Sequence, residues 1–271
     1  MSEADVIKQT GPQPVTQKSL VSDLRRLGVP SGEVVLVHSS LSALGWVCGG
    51  PHAVVLALED VVGNGTLVMP AHTAALSEPS RWENPPVPES WWPVIRADTP
   101  AFDPAMTPTR AMGAIVECFR TQPGTMRSSH PQYSFAARGP SAPEITKDHS
   151  LDYGLGERSP LARIYDVNGF VLLLGVGHEN NTSMHLGEYR LEVAEKRTTS
   201  NAAPVMAAGE RRWVEFEDVD LDETDFDRLG RDFESDTGAV KTGRVGVSEA
   251  RLMPQRTLVD YAVGWFGRNR R

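Results

Sequence analysis

Val34-Val35-Leu36-Val37 and Thr66-Leu67-Val68-Met69 are short, wholly apolar runs, and what lies between them decides the fold. Pro51 opens a segment in which Val54, Val55, Leu58, Val61 and Val62 recur at helical spacing, and Gly63-Asn64-Gly65 then turns the chain into the second run. Apolar runs of this length read as strands buried in a core. Two of them joined through a helix pack most simply as parallel neighbours, with the helix crossing one face of the sheet. The chain is therefore expected to be an α/β protein, a central mostly parallel or mixed sheet flanked by helices.

Working outward, residues 16–27 place Leu20, Leu24 and Leu27 on one helical face, with Thr16 as cap and Gly28 as stop. Phe170-Val171-Leu172-Leu173-Leu174 reads as a further central strand, and residues 133–138 as a short one. Residues 109–121 look helical, as do 226–233 and 256–266, with a strand at 212–216. Between 71 and 108 prolines recur around Trp82, Trp91 and Trp92 with no sustained period. Loops of that length are uncommon and tend to be binding loops or lids; a packed cover is the alternative. No repeat, low-complexity tract or linker divides the sequence, so one domain over 1–271 is expected.

Composition narrows the function. With 40% apolar residues over 271 positions the chain can bury a sizeable core. No apolar run approaches the roughly 18 residues that span a bilayer, and residues 1–16 lack a signal-peptide core, so a cytoplasmic protein without membrane contact is expected. Cys48 and Cys118 lie far apart with no Cys-x-x-Cys partner, which argues against disulfides and structural zinc; both read as buried or incidental thiols. The formal charge of −8 is concentrated in residues 215–236, where eleven Asp or Glu face only Arg228 and Arg231. That run is either a solvated face or an acidic wall that repels nucleic acid and draws in a polycationic small molecule.

Thr182-Ser183-Met184-His185-Leu186-Gly187-Glu188 follows the strand at 170–174 and a polar loop, which puts it beyond a strand's carboxyl end, where open α/β sheets place their sites. Residues three apart on a helix are neighbours, so Glu188 can hold the His185 ring in one tautomer and leave its other nitrogen free as a general base. A helix capped by Thr182 with a histidine that only packs is the plainer alternative. His178, Glu179 and His185 do not have the His-Glu-x-x-His spacing of a zinc site, and no metal is expected. Gly-x-x-x-x-Gly-Lys-Ser/Thr does not occur and Gly175-Val176-Gly177 lacks a third glycine, which argues against nucleotide hydrolysis and hydride transfer.

Several segments fit together: His38-Ser39-Ser40-Leu41, Met69-Pro70-Ala71-His72-Thr73, Arg127-Ser128-Ser129-His130-Pro131, the Thr182/His185/Glu188 stretch, residues 79–92, and Thr107-Pro108-Thr109-Arg110-Ala111-Met112-Gly113. With them the sequence resembles the aminoglycoside 3-N-acetyltransferase family from about residue 16 to 266. The resemblance implies acetyl transfer from acetyl-coenzyme A to the 3-amine of a 2-deoxystreptamine aminoglycoside, hence antibiotic resistance, in an α/β fold distinct from that of the commoner N-acetyltransferase superfamily. Consistently, the pyrophosphate loop of that superfamily is not found; the nearest string, Leu151-Asp152-Tyr153-Gly154-Leu155-Gly156, has leucine in its key place.

By position, the resemblance makes His185 the base and Glu188 its support, and it puts Thr73 at the thioester carbonyl as an oxyanion donor. Thr182 either shapes the same pocket or caps its helix. His38, Ser39, Ser40 and Leu41 would approach coenzyme A, with Arg110, Arg127 and Ser128 near its phosphates; either arginine is alternatively a structural ion pair. Glu83, Asp218, Asp220 and Asp222 are the carboxylates expected to meet sugar ammonium groups. A homodimer is left open. Two other functions are compatible with these residues: N-acetylation of another small amine, and non-catalytic sequestration of cationic ligands.

Overall fold

The computed structural model describes residues 2–192 and 196–270. In chain order it forms α1 (Glu3–Thr10), α2 (Gln17–Leu27), β1 (Val34–Ser39), α3 (Gly50–Val62), β2 (Thr66–Pro70), α4 (Trp92–Asp98), α5 (Gly113–Arg120), β3 (Met126–Arg127), β4 (Phe135–Arg138), α6 (Ala142–Thr146), α7 (Pro160–Asp166), β5 (Phe170–Leu174), α8 (Ser183–Arg190), β6 (Thr198–Ala207), β7 (Glu210–Val219), α9 (Phe226–Thr237), β8 (Lys241–Val245), β9 (Ser248–Pro254) and α10 (Gln255–Asn269).

Seven strands form one mixed sheet in the order β3-β4-β2-β1-β5-β9-β8. β1 pairs in parallel with β2 and with β5, while β4, β3, β9 and β8 extend the two sides antiparallel. The parallel centre is the unit that the apolar runs at 34–37 and 66–69 predict. Alternation along β1 explains the layering. Val35 and Val37 join α2, α3 and α5 through Leu20, Leu24, Val54, Leu58 and Phe119. Val34 and Leu36 face the opposite side, where α6, α7, α8 and α10 pack through Ile145, Leu161, Leu186 and Val259. A further cluster of Met184, Phe226, Leu229, Phe233 and Phe266 seats α9 against α8 and α10.

Because β1 leaves toward β2 on one side and meets β5 on the other, the chain reverses strand order at β1. The crevice beyond the carboxyl ends of β1 and β5 is where such sheets bind ligands. α8 begins there, close against α10: a Cβ on Gly187 would lie 2.9 Å from Ala262 Cβ and 3.3 Å from Phe266 Cε2. Gly187→Val is therefore expected to cost roughly 1–3 kcal/mol by overpacking, visible as a melting temperature several degrees lower in calorimetry; an unchanged transition would show that α8 tolerates displacement.

Several expectations need correction. The helix read at 109–121 starts only at Gly113, because Ala111 takes a left-handed backbone (φ 61°) and Arg110 N–H donates to the His72 carbonyl outside any helix. The strand read at 212–216 is one arm of a long β6–β7 hairpin, and β8 and β9, with their mixed patterning, carry no sequence signal strong enough to be read. The segment 71–108 is ordered rather than irregular throughout: Glu78 accepts two bonds from Arg96, α4 forms within it, and Phe102 N–H and Arg211 fasten it to the β6–β7 hairpin, while most of its side chains from 74 on are exposed or half-buried. Cys48 is exposed and Cys118 half-buried, so neither is a core thiol. None of the described helices is long and apolar enough to cross a membrane.

Candidate active site

His185 is one turn into α8 and buried, at 7% exposure, with Glu188 at 5%. Nδ1 of His185 lies 2.5 Å from Glu188 Oε2. The other carboxylate oxygen accepts from Arg270 Nη1 and, at 3.1 Å, from the Asp222 backbone N–H. With a guanidinium and a backbone N–H both on Oε1, Oε2 is left to accept, so the tautomer that fits is the one in which Nδ1 donates its proton to Glu188 and the Nε2 lone pair is free. Nε2 makes no hydrogen bond to any described residue. Phe226 packs on the ring at 4.7 Å between centroids and fixes its plane.

Thr182 does not cap the helix. Its backbone is already helical and its hydroxyl makes no cap hydrogen bond; Oγ1 instead sits 3.3 Å from His38 Nε2 at the end of β1. Of the two roles left open for Thr182, the structure supports the pocket. Burial lowers the His38 imidazole to about 3 and His72 to about 3, with charge on the neighbouring imidazoles acting in the same direction, so both rings are neutral.

A groove of about 660 Å³ runs over Ser39, Ser40, Leu41, Trp46, Gly113 and Val176. It shares Ser39, Ala111, Met112, Val176 and Asn180 with a narrower space of about 90 Å³ that ends on His38, His72 and Thr182. Two buried polar atoms on these linings, Ser39 Oγ and His72 Nε2, have no hydrogen-bond partner. A buried orphaned donor or acceptor costs free energy unless a ligand satisfies it, which suits an elongated substrate with amide and carbonyl groups in a space lined by both polar and apolar side chains. Arg110 lines neither space; it is exposed next to Ala111 and Met112, which line both, and forms no ion pair with the described residues.

Three sequence-derived site residues are committed elsewhere. Thr73 is buried and its hydroxyl donates to the Pro131 carbonyl at 2.6 Å, which uses the single proton an oxyanion would need. Arg127 donates to the Ala71, Thr107 and Pro104 carbonyls and to Ser134 Oγ, with its plane 5.0 Å over Phe102. It pins the 71–108 segment to β3, and burial lowers its guanidinium to about 10. Ser128 is 1% exposed; its Oγ accepts from Phe135 N–H and donates to His149 Nδ1. All three are engaged in the scaffold, and of their donors only one Nη2–H of Arg127 is left over.

The acidic segment divides in two. Asp227, Asp232, Glu234 and Asp236 are spent on Arg231, Trp265, Arg251 with His178, and Tyr261 around α9. This also accounts for His178, which is a structural partner of Glu234. Asp218 is buried; desolvation raises its carboxyl while Tyr189, Val219 N–H and Gly154 N–H donate to it, so it is an interior anchor. Asp220 is exposed, and Asp222 is exposed with its N–H on Glu188, which places that loop at the edge of the dyad. Glu83 is exposed on the 71–108 segment. The sequence reading misses Arg270, and it names His72 only as part of a motif; neither has a spacing that marks it as a site residue.

The profile of the family described as aminoglycoside 3-N-acetyltransferase matches residues 36–267. The aminoglycoside N(3')-acetyltransferase-like protein YokD of Bacillus subtilis is 45% identical over 94% of each chain. A crystal structure of YokD from Bacillus subtilis superposes with a TM-score of 0.95, at 42% identity over 98% of each chain. Aminoglycoside N(3)-acetyltransferase VII of Streptomyces paromomycinus is 36% identical over 98% of this chain and 96% of its own. Two ligand-bound structures also match with a TM-score of 0.84: AAC-IIIb with CoASH, 31% identical over 94% of this chain and 97% of that one, and AAC-VIa bound to sisomicin, 33% identical over 94% and 98%.

Proposed function

The chain belongs to the aminoglycoside 3-N-acetyltransferase family, and on that premise we propose that it transfers acetyl from acetyl-coenzyme A to the 3-amino group of 2-deoxystreptamine aminoglycosides. One observation carries the reading: a buried imidazole whose Nδ1 is fastened to a carboxylate and whose Nε2 has no partner among the described residues, on the helix that follows Thr182; Thr182 lines the narrow space at the sheet's switch point, although His185 itself does not. Acetyl-coenzyme A supplies the acyl group and occupies the groove over Ser39, Ser40 and Leu41. Its thioester end enters the narrow space, where Ser39 Oγ and His72 Nε2 receive its polar groups. Arg110 takes a phosphate at the mouth.

His185 Nε2 removes the proton from the attacking amine as the new N–C bond forms, and returns it to the sulfur when the C–S bond breaks, so protons balance over the cycle. Glu188 holds the ring and stabilises the imidazolium in between. Asp220 and Asp222, exposed at the edge of the dyad, receive the ammonium groups of the sugar. Such exposed pairs steer more than they bind, so raising ionic strength slows capture of the drug.

The test is release of coenzyme A thiol with sisomicin as acceptor and location of the new amide by NMR. Acetylation at the 3-amine is expected; turnover confined to a simple monoamine would reject the aminoglycoside reading. Arg110→Gln should raise KM for acetyl-coenzyme A roughly tenfold, the loss of one charge-assisted contact of about 1.4 kcal/mol, with kcat unchanged. An unchanged KM would remove Arg110 from the coenzyme site.

A further inference from the structure

Arg270 sits at the end of α10, and its guanidinium is enclosed by groups from several elements. Nη1 donates to Glu188 Oε1, Nε donates to Asp225 Oδ2 at 2.8 Å, and Nη2 reaches both Asp225 Oδ1 and the Asp222 carbonyl. Its plane lies 4.0 Å over the Phe266 ring. With 22% of the side chain exposed against 5% for Glu188, this is not a screened surface pair.

A buried carboxylate bonded on one oxygen only is free to rotate and is poorly stabilised as an anion. Glu188 escapes both faults because Arg270 and Asp222 N–H hold Oε1, which aims Oε2 at the His185 ring. The same guanidinium ties down the 222–225 turn. We propose that Arg270 is a positioning residue for acetyl transfer, a fork that locks Glu188 in register with His185 and clamps the acidic 222–225 turn to the same point. The proposal rests on the reading of His185 as the base.

The charged and titratable groups facing His185 are Glu188 on its own helix, His38 and His72 from the ends of β1 and β2, Asp218 from β7, and Arg270 from the end of α10. Arg270 is the one permanent cation in that set. Removing it leaves the Glu188 charge uncompensated, and an uncompensated carboxylate keeps a proton on the facing imidazole to higher pH.

In Arg270→Gln, kcat should fall roughly a hundredfold, the size of loss that misplacing a reacting group brings, with KM for acetyl-coenzyme A unchanged. The acid side of the kcat profile should move to higher pH. Arg270→Lys keeps the charge without the fork; it should restore the profile and roughly a tenth of kcat. The downfield proton resonance of His185 Nδ1–H should be present in the parent chain and lost in Arg270→Gln. Parental kcat and an unmoved profile in Arg270→Gln overturn the proposal. If that variant fails to fold, Arg270→Lys decides: a reduced kcat on the parental profile supports the proposal, and a parental kcat overturns it. A parent chain inactive on sisomicin would count against the functional reading alone, since the resonance needs no substrate and still reports whether Arg270 orders the dyad.

Discussion

His185→Ala is expected to lower kcat for acetylation of sisomicin by about 10²- to 10⁴-fold, the range that a positioned general base contributes, while coenzyme A still binds with the parental affinity. The two readouts separate because the groove and the base are built from different elements. The lining over Ser39 to Trp46 and Gly113 to Ile115 comes from the end of β1 with the segment after it and from the first turn of α5, whereas His185 projects from α8. Truncation removes a ring packed on Phe226 and a hydrogen-bond partner of Glu188, so part of any lost activity is lost stability. Glu188 keeps Arg270 and the Asp222 N–H after the change, which limits the cost of leaving it without His185. The experiment therefore pairs thiol-release kinetics with calorimetric titration of coenzyme A and a thermal melt. A folded variant that binds coenzyme A and turns over at the parental rate would remove His185 from the chemistry and, with it, the role given to Arg270.

How far such a site is legible depends on how local its signals are. The β1–α3–β2 unit and β5 announce themselves through runs of Val and Leu, because strands buried on both faces have no use for polar residues. His185 and Glu188 could be paired from spacing alone, since one helix fixes both Cβ directions. Thr73, Arg127 and Ser128 look equally functional in sequence, and the structure commits each to the scaffold: a hydroxyl to Pro131 O, a guanidinium to the carbonyls of the 71–108 segment, a serine to His149. Hydroxyls and guanidinium groups satisfy buried backbone as readily as ligands, and only tertiary structure says which. Arg270 is the converse case. It meets Glu188 across 82 positions of sequence, and nothing in the Arg268-Asn269-Arg270-Arg271 tail marks Arg270 as a site residue.

Acid should unfold this protein steeply, through imidazoles that the chemistry does not use as well as those beside it. Burial lowers His38 and His72 to about 3, His130 to about 4, and His149 well below the ordinary histidine value. Two of these rings are fixed as neutral tautomers by their partners. His130 Nδ1 accepts from the Gln132 and Tyr133 N–H groups while Nε2–H donates to the Leu151 carbonyl. His149 Nδ1 accepts from Ser128 Oγ and Nε2–H donates to the Gly154 carbonyl. A second proton on His130 would set Nδ1–H against two backbone N–H donors, and one on His149 would force the Ser128 hydroxyl to turn and accept, both in buried surroundings. For a histidine whose folded value is depressed, the unfolded chain binds the proton first, so stability is intact above about 6.5 and is lost as pH falls from there toward the folded values, about 3 for His38 and His72 and about 4 for His130. Each ring contributes at most about 1.4 kcal/mol per pH unit across that window. Moving from pH 7.5 to 5.5 thus removes roughly 5 kcal/mol for the four together, comparable with the whole stability of an ordinary domain. Urea denaturation at the two pH values should show that difference, accompanied by net uptake of about four protons on unfolding in the acid buffer. Equal midpoints at pH 7.5 and 5.5 would mean that these rings accept protons in the folded state, and that the histidine cluster around Ser128 is open to water rather than sealed.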